Sequence, residues 1–126
     1  MKLIMLLFIL SVIVISCANS LADEVKNFIP GTYIRFSQHE YGTEYDTLVI
    51  TIQSSIANEY HILRKWKYER VLDGNQVEPE YKRTETSGIY DAKNKVIQEI
   101  ETGDIFSFDA KQNLLFTGPT QFKKIK

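Results

Sequence analysis

Glu59-Tyr60-His61-Ile62-Leu63-Arg64-Lys65-Trp66-Lys67-Tyr68-Glu69-Arg70-Val71 is the stretch that decides the architecture. Alternate residues put Tyr60, Ile62, Trp66 and Tyr68 on one face and His61, Leu63, Lys65 and Lys67 on the other. Side chains alternate along a strand but recur every 3.6 residues around a helix, so this is a half-buried strand. Its aromatic and β-branched residues suit a pleated surface. Thr47 to Gln53 repeats the pattern, with Leu48, Ile50 and Ile52 on one side. After residue 16, no stretch keeps apolar residues at i, i+3, i+4 and i+7 for three turns. Only Ala22–Phe28 allows a short helix.

Turn signals divide the rest. Asp73-Gly74-Asn75 lies between two extended runs, and Asp-Gly is a strong hairpin cue. Tyr90-Asp91-Ala92-Lys93-Asn94-Lys95-Val96-Ile97 returns eighteen residues later as Phe108-Asp109-Ala110-Lys111-Gln112-Asn113-Leu114-Leu115. Each copy ends a strand on an aromatic, starts a turn on Asp and opens the next strand on an aliphatic pair. An Asp carboxylate can accept from the backbone two residues on, which is how such a turn begins. The echo predicts two hairpins of one meander, turning at the same rim.

Eight strands follow, at about 31–36, 46–53, 58–71, 77–90, 95–101, 104–108, 113–118 and 120–125, with a loop over 37–46. Hairpins between sequence neighbours favour an up-and-down arrangement. The expectation is an all-β fold, an antiparallel meander forming a small barrel or half-barrel over residues 29–126. Closure removes exposed edges, and small eight-stranded barrels are filled by side chains or hold one ligand.

The chain opens differently. Lys2 precedes thirteen residues, Leu3 to Ile15, interrupted by a single serine. A basic start, a short apolar core and small residues make a secretory leader. Its close, Val14-Ile15-Ser16-Cys17, resembles the lipobox of bacterial lipoproteins. That resemblance implies acylation of Cys17, cleavage between Ser16 and Cys17, and a membrane partner reached through the lipid. One acyl chain binds a bilayer marginally and two or more hold it stably. The expected organisation is a signal peptide over 1–16, a lipidated tether over 17–28, then the barrel. Two alternatives stay open: a spanning helix, which needs about 20 apolar residues, and ordinary cleavage after Ala18, which would remove the cysteine. Ala18 stands where an Asp would indicate inner-membrane retention, so the expected location is the outer membrane, on either face.

Removing residues 1–16 from 126 leaves 110, one domain of ordinary size. Without Lys2 the chain carries 14 basic and 16 acidic residues, a net of −2. There is no basic excess to read as nucleic-acid binding. Cys17 is the only cysteine, so no internal disulfide can form.

Gly31-Thr32-Tyr33 opening the first strand, the consecutive hairpins, and the close Gly118-x-x-x-Phe122-Lys123-Lys124-Ile125 resemble small lipocalin-like lipoproteins of Bacteroidetes. Tyr60 to Asp109 also resembles uncharacterised lipoproteins that accompany conjugative transposons in those bacteria. Lipocalins open on Gly-x-Trp, whereas position 33 is Tyr and the only tryptophan is Trp66. The resemblance implies a calycin-like barrel and an envelope setting beside a conjugation machine, and supplies no catalytic residues.

Candidate chemistry is sparse. Alternation puts Arg64 on the face that carries Trp66 and Tyr68. A buried charge needs a partner, so Arg64 is either an anion anchor in a barrel mouth, with Trp66 and Tyr68 as walls, or half of an internal salt bridge. Tyr41 and Tyr45, in the expected loop, are candidates for a recognition surface. His39 and His61 lack metal-ligand spacing, although His39 and Glu40 stand near Glu44 and Asp46. Ser54-Ser55 lacks a nucleophile-elbow pattern, and Glu99 with Glu101 reads as a solvated strand face. The expectation is a non-enzymatic binding or accessory lipoprotein without cofactor or metal. The alternative is a carrier of a small apolar or anionic ligand.

Overall fold

The computed structural model describes residues 23–126. The expected leader over 1–16, Cys17 and the expected tether as far as residue 22 lie outside the described residues. Nine strands follow one another: β1 (Gly31–His39), β2 (Gly42–Ser54), β3 (Glu59–Leu72), β4 (Asn75–Gln76), β5 (Glu80–Asp91), β6 (Val96–Glu99), β7 (Ile105–Asp109), β8 (Leu114–Thr117) and β9 (Thr120–Lys124). Except for β4, each pairs antiparallel with the next, β3 passing directly to β5. The last strand returns to the first through Tyr33↔Lys124 and Ile34↔Lys123. The result is a closed eight-stranded up-and-down barrel with one extra short strand.

The echoed turns form as their sequence directs. Asp91 Oδ1 accepts from the amides of Lys93 (2.9 Å) and Asn94 (3.3 Å). Asp109 Oδ1 accepts from those of Lys111 and Gln112, both at 3.1 Å. Each turn then passes through a left-handed residue, Lys95 (φ 57°) and Asn113 (φ 59°). Strand direction alternates around a meander, so both turns lie at one end of the barrel. The Asp73-Gly74 hairpin also forms, with φ 52° and 76° at its two central residues, the type I′ geometry that matches strand twist. It returns only as β4. Pro79 has no amide to donate, and the ladder with β3 resumes at Tyr68↔Glu80.

The loop over 37–46 is a correction. β1 and β2 stay paired up to His39↔Gly42, joined by Glu40 and Tyr41 alone. The alternation is present there but written in polar residues: Arg35, Glu44 and Asp46 share the inner face with Tyr33 and Leu48. A hydrophobic pattern cannot reveal a strand whose inward residues are charged.

The barrel is lopsided. β1, β2, β3 and β5 run 9 to 14 residues, and β6 to β9 only 4 or 5. At about 3.3 Å per residue, the long strands overtop the short ones and make a tall wall. The core fills the lower half, where Tyr33, Ile50, Ile97, Leu115 and Phe122 are fully buried.

A short helix, α1 (Glu24–Phe28), seals the lower end. Ile29, just after it, is fully buried, and Phe28 meets the edges of Tyr33 (5.9 Å) and Phe108 (6.2 Å). The Tyr33 hydroxyl points between the carbonyls of Ile29 (2.8 Å) and Phe28 (3.1 Å), and Lys124 Nζ also donates to Phe28 O. Asp23 caps the helix by accepting from the Lys26 amide (3.0 Å), and its second oxygen accepts from the Tyr90 hydroxyl (2.7 Å).

Burial pushes the Asp23 carboxyl up, but the Lys26 amide, the Tyr90 hydroxyl and the Lys95 charge outweigh it and hold it below its ordinary value of 3.8. A depressed carboxyl contributes stability above its unfolded value and loses it as pH falls through the folded one. Asp23→Ala should therefore cost about 1–2 kcal/mol at pH 7, the worth of a cap and one hydrogen bond. Urea denaturation should show the difference from the native chain shrinking below about pH 4. An equal difference at pH 7 and pH 3 would count against the charged cap.

Candidate functional site: an open cup above the core

Where the tall wall overtops the short one, the barrel opens into a cup of about 590 Å³. Its floor is apolar: Leu48, Ile62 and Phe106 close the top of the core. Trp66 and Arg64 line the tall side, with the Thr84 and Thr86 hydroxyls beside them. Glu99, Glu101 and Asp104 line the short side, at the turn from β6 to β7.

Arg64 takes the inward position that alternation gives it. In the ladder it stands opposite Leu48, while Asp46 stands opposite Trp66, so the two charges are diagonal neighbours. The guanidinium grips the carboxylate through two parallel bonds, Nε–Oδ1 at 3.0 Å and Nη2–Oδ2 at 2.5 Å. Asp46 is 1% exposed and the Arg64 side chain 48%. The planar fork of arginine matches a carboxylate in this way. The Asp46 hydrogen bond, working against burial, raises the guanidinium above its ordinary value, and Glu99 and Asp104 push the same way. The salt-bridge alternative is thus realised, with two of the five guanidinium N–H donors engaged by Asp46. Arg35 and Glu44 form a second inner pair at 3.5 Å.

Trp66 lines the cup, whereas Tyr68 stands above it, outside the lining. Their rings stack at 5.7 Å and 23°, and His39 stacks on Tyr68 at 5.8 Å and 25°. The three make an aromatic ladder up the inner face of the wall. Of the expected trio, the fold puts Arg64 and Trp66 in one cavity and Tyr68 on the approach to it.

The chain matches no family model, no curated protein and no solved structure. Its chemistry must be read from the cup itself. Among the described residues, no cluster of His, Asp or Glu is placed to hold a metal. His39 stacks on Tyr68, while Glu44 and Asp46 serve Arg35 and Arg64. Ser54 Oγ accepts from the Ala57 amide (3.2 Å) and shapes a turn. No helix among the described residues is long and apolar enough to cross a membrane.

Two features escaped the sequence pattern. Asp46 has the same parity as Leu48 and Ile50, so continuing the alternation one step back would have put it inside, within reach of Arg64. Glu99 has the parity of Ile97 and would have been found likewise. Glu101 shares that parity but lies beyond the end of β6, and Asp104 does not share it; the curl of the turn after β6 brings both to the cup. Tyr45 faces outward on β2, its ring 5.3 Å from Phe36, with Lys67 Nζ 5.4 Å above it. It belongs to the outer surface and has no part in the cup.

Proposed function

We propose that this chain is a non-enzymatic lipoprotein of the bacterial outer membrane, anchored through acylated Cys17, that presents its cup to the aqueous compartment. The observation that supports this most is where the chain enters the barrel. Asp23 and α1 sit at the sealed end, and the cup opens at the other. Six residue steps separate Cys17 from Asp23, a reach of about 20 Å at 3.3–3.6 Å per residue. A tether that short holds the sealed end towards the bilayer and turns the mouth away from it. Resemblance to small lipocalin-like lipoproteins, some accompanying conjugative transposons, adds an accessory role in the cell envelope beside a protein partner. A second reading, carriage of a small ligand, is favoured by the cup's volume, which falls in the range of about 300–1,000 Å³ usual for ligand sites.

Cys17→Ser tests the anchor. In detergent phase partitioning of envelope extracts, the native chain should enter the detergent phase and the variant the aqueous phase. Mass spectrometry should find the native amino terminus at an acylated Cys17. A native product that begins after Ala18, or that partitions into the aqueous phase, overturns the proposal.

A further inference from the structure

The charge around the cup identifies what it can hold, provided that the cup is a binding site as read above. Four acidic residues line it, Glu85, Glu99, Glu101 and Asp104, against two cations, Arg64 and Lys82. Glu85 pairs with Arg83 at 2.8 Å, and Asp46 lies behind Arg64, outside the lining. Asp46 is satisfied by Arg64. Among the described residues no cation stands within salt-bridge distance of Glu99, Glu101 or Asp104. An entering anion would meet a surplus of negative charge and a guanidinium already bound twice. Above the floor of Leu48, Ile62 and Phe106 stands Trp66, and tryptophan is the aromatic ring that attracts cations best.

We propose that the cup binds an organic cation with an apolar body, its alkyl or aromatic part on Leu48, Ile62 and Phe106 and its ammonium group between the Trp66 ring and the carboxylates of Glu99, Glu101 and Asp104. The floor supplies affinity through burial. The aromatic face and the acids supply the sign of the charge. The chemical class is an amine or quaternary ammonium carrying a hydrocarbon group. The stacked rings of Tyr68 and His39 continue the same surface towards solvent, so a longer ligand would extend along them.

Trp66 is the only tryptophan in the chain, so fluorescence reports from the cup wall itself. The full-length protein is placed in phosphatidylcholine vesicles, with protein-free vesicles as the blank, and titrated with octyltrimethylammonium, octanol and octanoate. The three share a chain and differ in charge. Octyltrimethylammonium should bind about tenfold or more tightly than octanoate, a difference of about 1.4 kcal/mol or more. Added salt should erode that preference. The double variant Glu101→Gln/Asp104→Asn, with its melting curve checked against the native chain, should weaken octyltrimethylammonium about fivefold or more and leave octanol unchanged. Octanoate binding as well as the cation overturns the inference, as does a double variant that keeps full affinity for the cation. If octanol and octanoate bind and the cation does not, the cup stands as a binding site and the inference of charge falls. If none of the three changes the fluorescence, both fall together.

Discussion

Arg64→Leu should destabilise the barrel by about 2–4 kcal/mol, although half of the arginine side chain is exposed. The loss comes from what stays behind. Asp46 is 1% exposed, and without the guanidinium its carboxylate stands in the barrel wall with neither water nor a counter-charge. The usual penalty for breaking a buried pair is about 3–5 kcal/mol, and the half-open guanidinium side argues for the lower part of that range. Replacing both partners, Arg64→Leu with Asp46→Leu, should recover most of the loss, because two apolar side chains of moderate volume leave no orphaned charge. Urea denaturation followed by Trp66 fluorescence measures both. A single variant as stable as the native chain would mean that water reaches Asp46 freely and that Arg64 is available to a ligand after all. The sign of the pH dependence can also be fixed. The guanidinium is raised above its ordinary value, by the Asp46 hydrogen bond first. A raised base contributes stability in full below its unfolded value and loses it only as pH climbs through the folded one. Arg64 therefore stays charged across neutral and alkaline pH up to at least that value, and raising pH short of it should not weaken the pair.

Gly88→Val should cost about 3 kcal/mol or more, by overpacking instead of by loss of charge. Gly88 is buried on β5, opposite Tyr60 on one side and Glu99 on the other. A Cβ there would lie 2.4 Å from Ile97 Cγ2 and 3.1 Å from Ile62 Cδ1. Ile97 is fully buried, and backbone Gln98 O lies 3.3 Å from the same point; of the neighbours only Ile62 borders the cup. The glycine is needed for close approach across the barrel. Adding Ile97→Ala removes the nearest atom, so the double variant should be less destabilised than the sum of the two single ones. Denaturation midpoints of the four chains give that coupling. Strict additivity would show that the backbone shifts to absorb the side chain and that the close contact is not limiting.

The two variants separate what the residue pattern reveals from what it hides. Alternation in Thr47–Gln53 and in Glu59–Val71 was legible, because a strand with one buried face must repeat every two residues. The two Asp-led turns were legible, because an Asx turn is built from a side chain and the amides just after it. The strand ends of β1 and β2 were not. Their inner residues are Arg35, Glu44 and Asp46, which stay buried or half-buried only because charges on neighbouring strands meet them. The ambiguity of Arg64 had the same origin. Its inward direction follows from parity, but whether it greets a ligand or a carboxylate depends on the strand registered beside it.

By itself, the sequence determined a meander of antiparallel hairpins, the end at which its repeated turns lie, and the face on which Tyr60, Ile62, Arg64 and Trp66 sit. All of these are local properties, set by side-chain alternation and by turns that span a few residues. Tertiary structure alone decided that β9 returns to β1 and closes the wall, that Asp46 claims Arg64, and that Glu99, Glu101 and Asp104 gather opposite Trp66. These depend on register and on unequal strand length, which bring together ladder partners up to 91 positions apart. No short window of sequence records such distances, because the energy that fixes them is shared around the whole ring.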